Sequence, residues 1–314
     1  MSELLASTQL SYNFNTQILS HEAFVINVLA VPGQNGALTW SEMAEWMEIT
    51  FQTPMSGHAP FSCLEPGFPV RPLVQHGPVI IMQGNDNIIT PGFYVILSPQ
   101  GNEVKIPINQ ENPIPRTASR ATSSEMDDQT KTFRNRVRTR DGRCVITRTG
   151  PIGGDFICLS AAHIYPIAHL DMWKSESWQR QITDDKYDGE SGINSVQNGM
   201  LLRSDVHDLF DTFYIAVNPD RGYKTYCFLN DPTLDNLIML RDPNTVDKYQ
   251  PCRALLKHHF KMCVLLNMKG RTGYPVWDED IPPGCDDMTE VSRSEEGKLR
   301  LETILASKLN SSLA

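Results

Sequence analysis

Leu159-Ser160-Ala161-Ala162-His163-Ile164-Tyr165-Pro166 and Asn198-Gly199-Met200-Leu201-Leu202-Arg203-Ser204-Asp205-Val206-His207-Asp208-Leu209-Phe210-Asp211 decide how this chain is read. A short apolar run ends near His163, and Pro166 stops regular pairing just beyond it. A second run, 199–202, leads through Ser204, read as an N-cap, into a helix starting at 205–210. Strand, loop and helix start therefore carry a histidine, an asparagine and a second histidine, in that order. Each stands where it can be aimed at one point.

Upstream of His163, residues 143–147 and 156–160 read as two short strands joined by a Gly- and Pro-rich turn at 149–155. Between the two quoted segments, 165–197 is a long polar connection. Trp173 and Trp178 in it read as side chains that pin the loop. Downstream, 213–217 and 223–228 form a hairpin around 218–222. A helix follows over 253–268, with Leu255, Leu256, Phe260, Cys263 and Val264 on its apolar face. A terminal helix is expected at 299–309. His169, His258 and His259 read as structural. The pair Cys144 and Cys158 is placed across the first hairpin, without the partners a zinc site needs.

The first 108 residues read as a separate module of mixed α/β type. Residues 12–19, 23–31, 78–82, 92–97 and 104–108 have strand character, with a turn at 99–102. Thr39 and Glu42 make a capping box, after which Met43, Trp46, Met47 and Phe51 recur at helical spacing. Residues 109–130, polar and Pro-containing, read as a linker. The segment 131–290 is then the second domain and 291–314 a helical tail.

The chain has 314 residues, seven cysteines and a formal net charge of -9. It has no apolar run long enough to span a bilayer and no secretory signal pattern, so an intracellular protein, cytoplasmic or nuclear, without a membrane partner is expected. Scattered cysteines suit reduced thiols. An acidic chain is not a general nucleic-acid coat. The charge is uneven, however. Over 131–150, Lys131, Arg134, Arg136, Arg138, Arg140, Arg143 and Arg148 face the single carboxylate Asp141. Such a strip is either a solvated face or a row of phosphate contacts beside the histidines.

Histidine suits proton abstraction near neutrality. A second histidine at a helix start, with an asparagine to orient or to coordinate, can hold a divalent cation on a phosphate. The order His163, Asn198, His207 resembles the HNH endonucleases, whose core is the ββα-metal fold. The similarity extends to residues 140–147, 161–166, 195–202 and 207–211. It continues through 214–219, 259–270 and 282–286, so that 133–290 resembles the HNH-domain proteins common in fungi.

The resemblance implies an α+β protein: a ββα-metal core with a C-terminal helical extension, preceded by the mixed α/β module. It implies a metal-dependent endonuclease acting on nucleic acid, DNA first. His163 would be the general base, Asn198 would fix it or complete the metal shell, and His207 would bind the cation. Mg2+ is the default, with Mn2+, Ni2+ or Zn2+ as alternatives. Arg134, Arg136, Arg138, Arg140 and Arg143 would contact phosphates. The chain departs from its relatives at Ala162, where many carry an aspartate or histidine ligand; either Asp205, Asp211 or another group replaces it, or the site binds metal weakly. It departs also at Ser160, and at Arg148, which stands where a glycine is expected. A fold kept only for binding nucleic acid or protein, or a site turned to a small molecule, are the alternatives.

Overall fold

The computed structural model describes residues 14–22, 25–32, 38–51, 59–63, 76–82, 84–89, 92–97, 109, 111, 124–187, 189–229 and 231–268. The expected turn at 99–102, strand at 104–108, motif at 282–286 and helix at 299–309 lie outside these residues.

Five N-terminal strands form one mixed sheet. They are β1 (Phe14–Glu22), β2 (Val25–Pro32), β3 (Ala59–Cys63), β4 (His76–Val79) and β5 (Gly92–Leu97), in the order β2-β1-β5-β3-β4. Only β1 and β5 run parallel. The strand expected at 78–82 ends at Val79, and β3 has no counterpart in the sequence reading.

Helix α1 (Trp40–Thr50) starts at the expected capping box. Thr39 Oγ1 accepts from Glu42 N, and Thr39 N donates to the Glu42 carboxylate at 2.9 Å. The helix stops one residue short of Phe51, which is extended but still buried. Its apolar face does not make a core of its own. Trp46 packs against Tyr226, Phe228 and Phe260, and Met43 and Met47 join the same cluster. Glu42 is itself buried and takes a hydrogen bond from Tyr226 Oη and an ion pair from Lys224. This core crosses the boundary drawn at residue 108.

Helix α2 (Ser124–Asp141) begins inside the segment read as a linker and runs through the basic strip. Its low apolar content hides it from periodicity, because only Phe133 and Val137 of its described positions are buried. Residues 144–147 then form a turn and not a strand. Arg148 N donates to Cys144 O and Cys144 N to Thr149 O, closing a tight loop. The turn requires a left-handed residue, and Arg148 supplies it with φ 64°. A glycine there would meet no steric penalty, which accounts for the glycine expected at this position, while nothing in the structure explains the arginine. Cys144 is buried and Cys158 exposed, and both are free thiols.

The strand expected at 156–160 is β6 (Leu159–His163), so His163 is its last residue. It pairs antiparallel with β7 (Gly199–Arg203), with His163 opposite Gly199. Helix α4 (Ser204–Asp211) follows without a loop. Ser204 is its first residue and not its cap; Arg203 holds the cap position and makes no side-chain capping bond. The long connection contains a short helix, α3 (Leu170–Ser175), whose wholly buried Trp173 donates to Ser191 O at 2.8 Å. Strands β8 (Ile215–Asn218) and β9 (Lys224–Cys227) make the expected hairpin, and α5 (Arg253–Met268) the expected helix. His259 is structural: it is buried, lies flat on Phe210, and its Nε2 meets Phe210 O at 3.0 Å.

Candidate active site

β6 buries Leu159 and Ala162 and leaves Ser160, Ala161 and His163 partly exposed. Ala162 is wholly buried in the core, while Ser160, Ala161 and His163 line a cavity of about 620 Å³. Helix α2 forms one wall with Phe133, Arg134 and Arg138, and α4 contributes His207. The structure thus brings both predicted histidines to one cavity.

Phe133 and Asn194 both hold the His163 ring. Phe133 stacks on it, with centroids 3.9 Å apart and planes at 10°. Nε2 lies 3.1 Å from Asn194 Oδ1. Asn194 Nδ2 donates to Gln129 Oε1, which turns the amide oxygen toward the imidazole. An amide oxygen only accepts, so Nε2 carries the proton and the neutral ring has its basic lone pair on Nδ1. Asn194 and Phe133 were not assigned this role from sequence. The signal was available only through the α2 periodicity, which places Gln129 and Phe133 four residues apart on one face.

Asn198 sits elsewhere in the arrangement. It is fully buried, its Oδ1 accepts from Tyr165 N at 2.7 Å, and its Nδ2 donates to Tyr165 O and Ile193 O. Its backbone carbonyl takes Ile164 N. The amide is therefore committed to backbone, correcting the expectation that it touches the imidazole or a metal. It clamps the chain immediately after His163 and acts on the ring through that chain.

His207 and Asp211 are one turn apart on α4, with His207 Nε2 3.3 Å from Asp211 Oδ2. Asp205 is not the partner. It lies two residues before His207, on the other side of the helix, and both its oxygens bind Arg203 at 2.6 Å. These bonds from Arg203, outweighing burial, hold its carboxyl below the usual range. Among the described residues no group of three or more His, Cys, Asp or Glu side chains comes together as an ion shell. One imidazole and one carboxylate would leave most of an ion's coordination to water and substrate and do not make an all-protein cage.

The basic strip separates by helix face. Arg134 and Arg138, four residues apart, line the cavity. Arg138 is held over the Phe156 ring at 4.9 Å, and its buried Nε has no hydrogen-bond partner. Arg136 and Arg140 face the other way. Arg136 binds both oxygens of buried Asp184 at 2.8 Å. Arg140 binds Asp141 and the carbonyls of Val196, Gly199 and Tyr249. Both are structural rivets between α2 and the 183–201 segment, not phosphate contacts. Arg143 is exposed beyond the helix end and does not line the cavity.

Asp184 shows how firmly that segment is fixed. It also accepts from Ser195 Oγ and from Val196 and Lys186 N. Burial works to raise its pKa, but the hydrogen bonds from Arg136, Ser195 and Lys186 outweigh it and hold the carboxyl below its ordinary value.

Among the described residues no helix is long and apolar enough to cross a membrane. No curated protein and no solved structure matches the chain. Residues 144–218, which carry His163, Asn198 and His207 but not the α2 wall, match the HNH_2 family model, described as HNH endonuclease, and in this segment the chain is similar to that family.

Proposed function

We propose that this chain hydrolyses phosphodiester bonds in nucleic acid, with His163 as general base. The observation that supports this best is the oriented imidazole of His163 facing a cavity shared with Arg134, Arg138 and His207. Stacking on Phe133 and the Asn194 bond remove the ring's rotational freedom before substrate arrives. Nδ1 takes a proton from water, the water oxygen bonds to phosphorus, and the bond to the leaving sugar oxygen breaks. Arg134 and Arg138 hold the non-bridging oxygens. His207 and Asp211 are the residues that would hold a divalent cation. When bound, it supplies neutralisation of charge on the phosphate and the leaving oxygen. DNA is the proposed substrate, and few base contacts are needed when arginines touch only the backbone.

The test is plasmid cleavage by the full chain with Mg2+, Mn2+, Ni2+ or Zn2+, beside His163→Ala. Cation-dependent nicking that vanishes in the variant is expected. No nicking with any cation would overturn the reading. The burial of Ala162 in the core, with no third His, Cys, Asp or Glu beside His207 and Asp211 among the described residues, favours a second reading: a domain that binds nucleic acid and leaves it intact. Duplex retention without cleavage would distinguish it.

A further inference from the structure

Between Thr149 and Cys158 the chain leaves the core and returns as a tight tip. Ile152 and Asp155 exchange both backbone hydrogen bonds, at 3.0 and 2.9 Å, around Gly153 and Gly154. Those two glycines have φ 59° and 88°, the pair of positive angles a two-residue hairpin turn needs. The tip is thus set by backbone geometry and not by burial of its side chains. It carries two isoleucines outward, Ile152 at 68% and Ile157 at 79% exposure. Ile157 also lines the His163 cavity. Between them Phe156 is turned inward and held beneath Arg138. An ordered tip that offers branched apolar side chains to water, at the mouth of a cavity lined by Arg134, Arg138 and the carboxylate of Asp155, suits a partner that is apolar in places and carries anions within reach of the arginines.

We propose that this tip enters a groove of duplex nucleic acid and that Ile157, supported by Ile152, wedges into a base step beside the phosphate held in the cavity. The inference rests on the nuclease reading and names its substrate more closely: a duplex that can be locally unstacked, with flexible pyrimidine–purine steps preferred. The rim charges, two arginines against the one carboxylate of Asp155, favour this partner over an apolar protein surface, because Arg134 and Arg138 would be desolvated there but paired against phosphates. The bases supply the flat apolar faces that a branched side chain can separate.

The test uses the full chain carrying His163→Ala, so that binding is seen without cleavage. A duplex with 2-aminopurine at successive positions reports unstacking by fluorescence. A several-fold rise at one step is expected on binding. It should be lost with Ile152→Ser/Ile157→Ser and retained with Ile157→Met, while duplex affinity falls only a few-fold. Circular dichroism of the double variant should be unchanged, since both side chains are exposed. Binding without a fluorescence rise, or a rise untouched by the double variant, would overturn the wedge and leave the nuclease reading standing. A concentration-dependent dimer abolished by the double variant would assign the tip to a second copy of the chain and overturn it too. Absence of duplex binding, together with absence of plasmid cleavage by the unsubstituted chain, would remove both.

Discussion

Phe133 lies flat on the imidazole of His163, with 3.9 Å between ring centroids. One ring comes from α2, outside the matched family segment, and the other from the last residue of β6. The imidazole is thus oriented by a helix whose sequence looks like a charged linker. Replacing the ring while keeping apolar volume should separate orientation from folding. Phe133→Leu is expected to leave the thermal midpoint within a few degrees and to slow plasmid cleavage about 10- to 100-fold, the usual cost of disturbing a support for a reacting group. Initial nicking rates and thermal unfolding of the same preparation check this. An unchanged rate would deny Phe133 any role in positioning His163.

Gly199 makes that stacking geometry attainable. Its φ of −138° suits any residue, so its requirement is space. A Cβ there would lie 2.6 Å from two ring carbons of Phe133 and 2.7 Å from Val137. Gly199→Ala should destabilise the fold by about 1–3 kcal/mol through overpacking. It should also displace Phe133 from His163 and lower activity. The Gly199→Ala/Phe133→Leu double variant should recover part of the lost stability, because a flexible side chain can yield where a ring cannot. Strictly additive losses in a double-mutant cycle by urea unfolding would contradict this direct clash.

Strand β7, helix α4, the β8–β9 hairpin and α5 are legible because each carries its own local signal, whereas β6 lies three residues beyond the strand expected at 156–160 and pairs with β7 and not with 143–147. For β7 and α4 this signal is a short apolar run and a helix start; for α5 it is sixteen residues of amphipathic spacing. The family motifs added order but could not supply partners. Asn198 was read as touching the imidazole because its place in the motif says nothing about where an amide points. In the fold the three hydrogen bonds of its side chain all go to backbone. Asn194, four residues earlier, touches the ring instead. The arginines show the same limit. Along the chain Arg134, Arg136, Arg138 and Arg140 are one strip; wound on a helix they become two faces with opposite fates. Only the recognition of α2 could have separated them, and its two buried apolar residues are too few to announce it.

That separation has a measurable consequence for salt dependence. Each arginine that neutralises a phosphate releases counterions, so removing it should reduce the slope of log affinity against log salt by about 0.9 for duplex DNA. Arg134→Ala and Arg138→Ala should each do so and weaken binding uniformly across sequences. Arg136→Ala should leave the slope unchanged but lower stability, since it strands buried Asp184. Fluorescence anisotropy over a salt series with the His163→Ala protein as parent gives the slopes. Equal slope changes for Arg134 and Arg136 would restore the single strip.

Asp184 also sets a direction for acid sensitivity. Its carboxyl is held below the ordinary 3.8 by the hydrogen bonds from Arg136, Ser195 and Lys186 N, which outweigh the opposing effect of burial. A carboxyl with a depressed folded-state pKa binds fewer protons folded than unfolded in this range. Its contribution is therefore complete above the unfolded value and is lost as pH falls below about 4 toward the folded value. The unsubstituted protein should lose stability steeply there. Asp184→Asn removes the titration and leaves Arg136 without its anion, so it should be less stable at pH 7, by about 3–5 kcal/mol if the buried pair is simply broken. Its stability should then fall less steeply between pH 5 and 3. Because Asp184 anchors Ser195 and Val196, the variant should also loosen the Asn194–Asn198 segment, seen as faster amide exchange at Val196 and Ile164. Parallel acid-unfolding curves for the two proteins, offset but equal in slope, would show that the charge of Asp184 does not stabilise this segment.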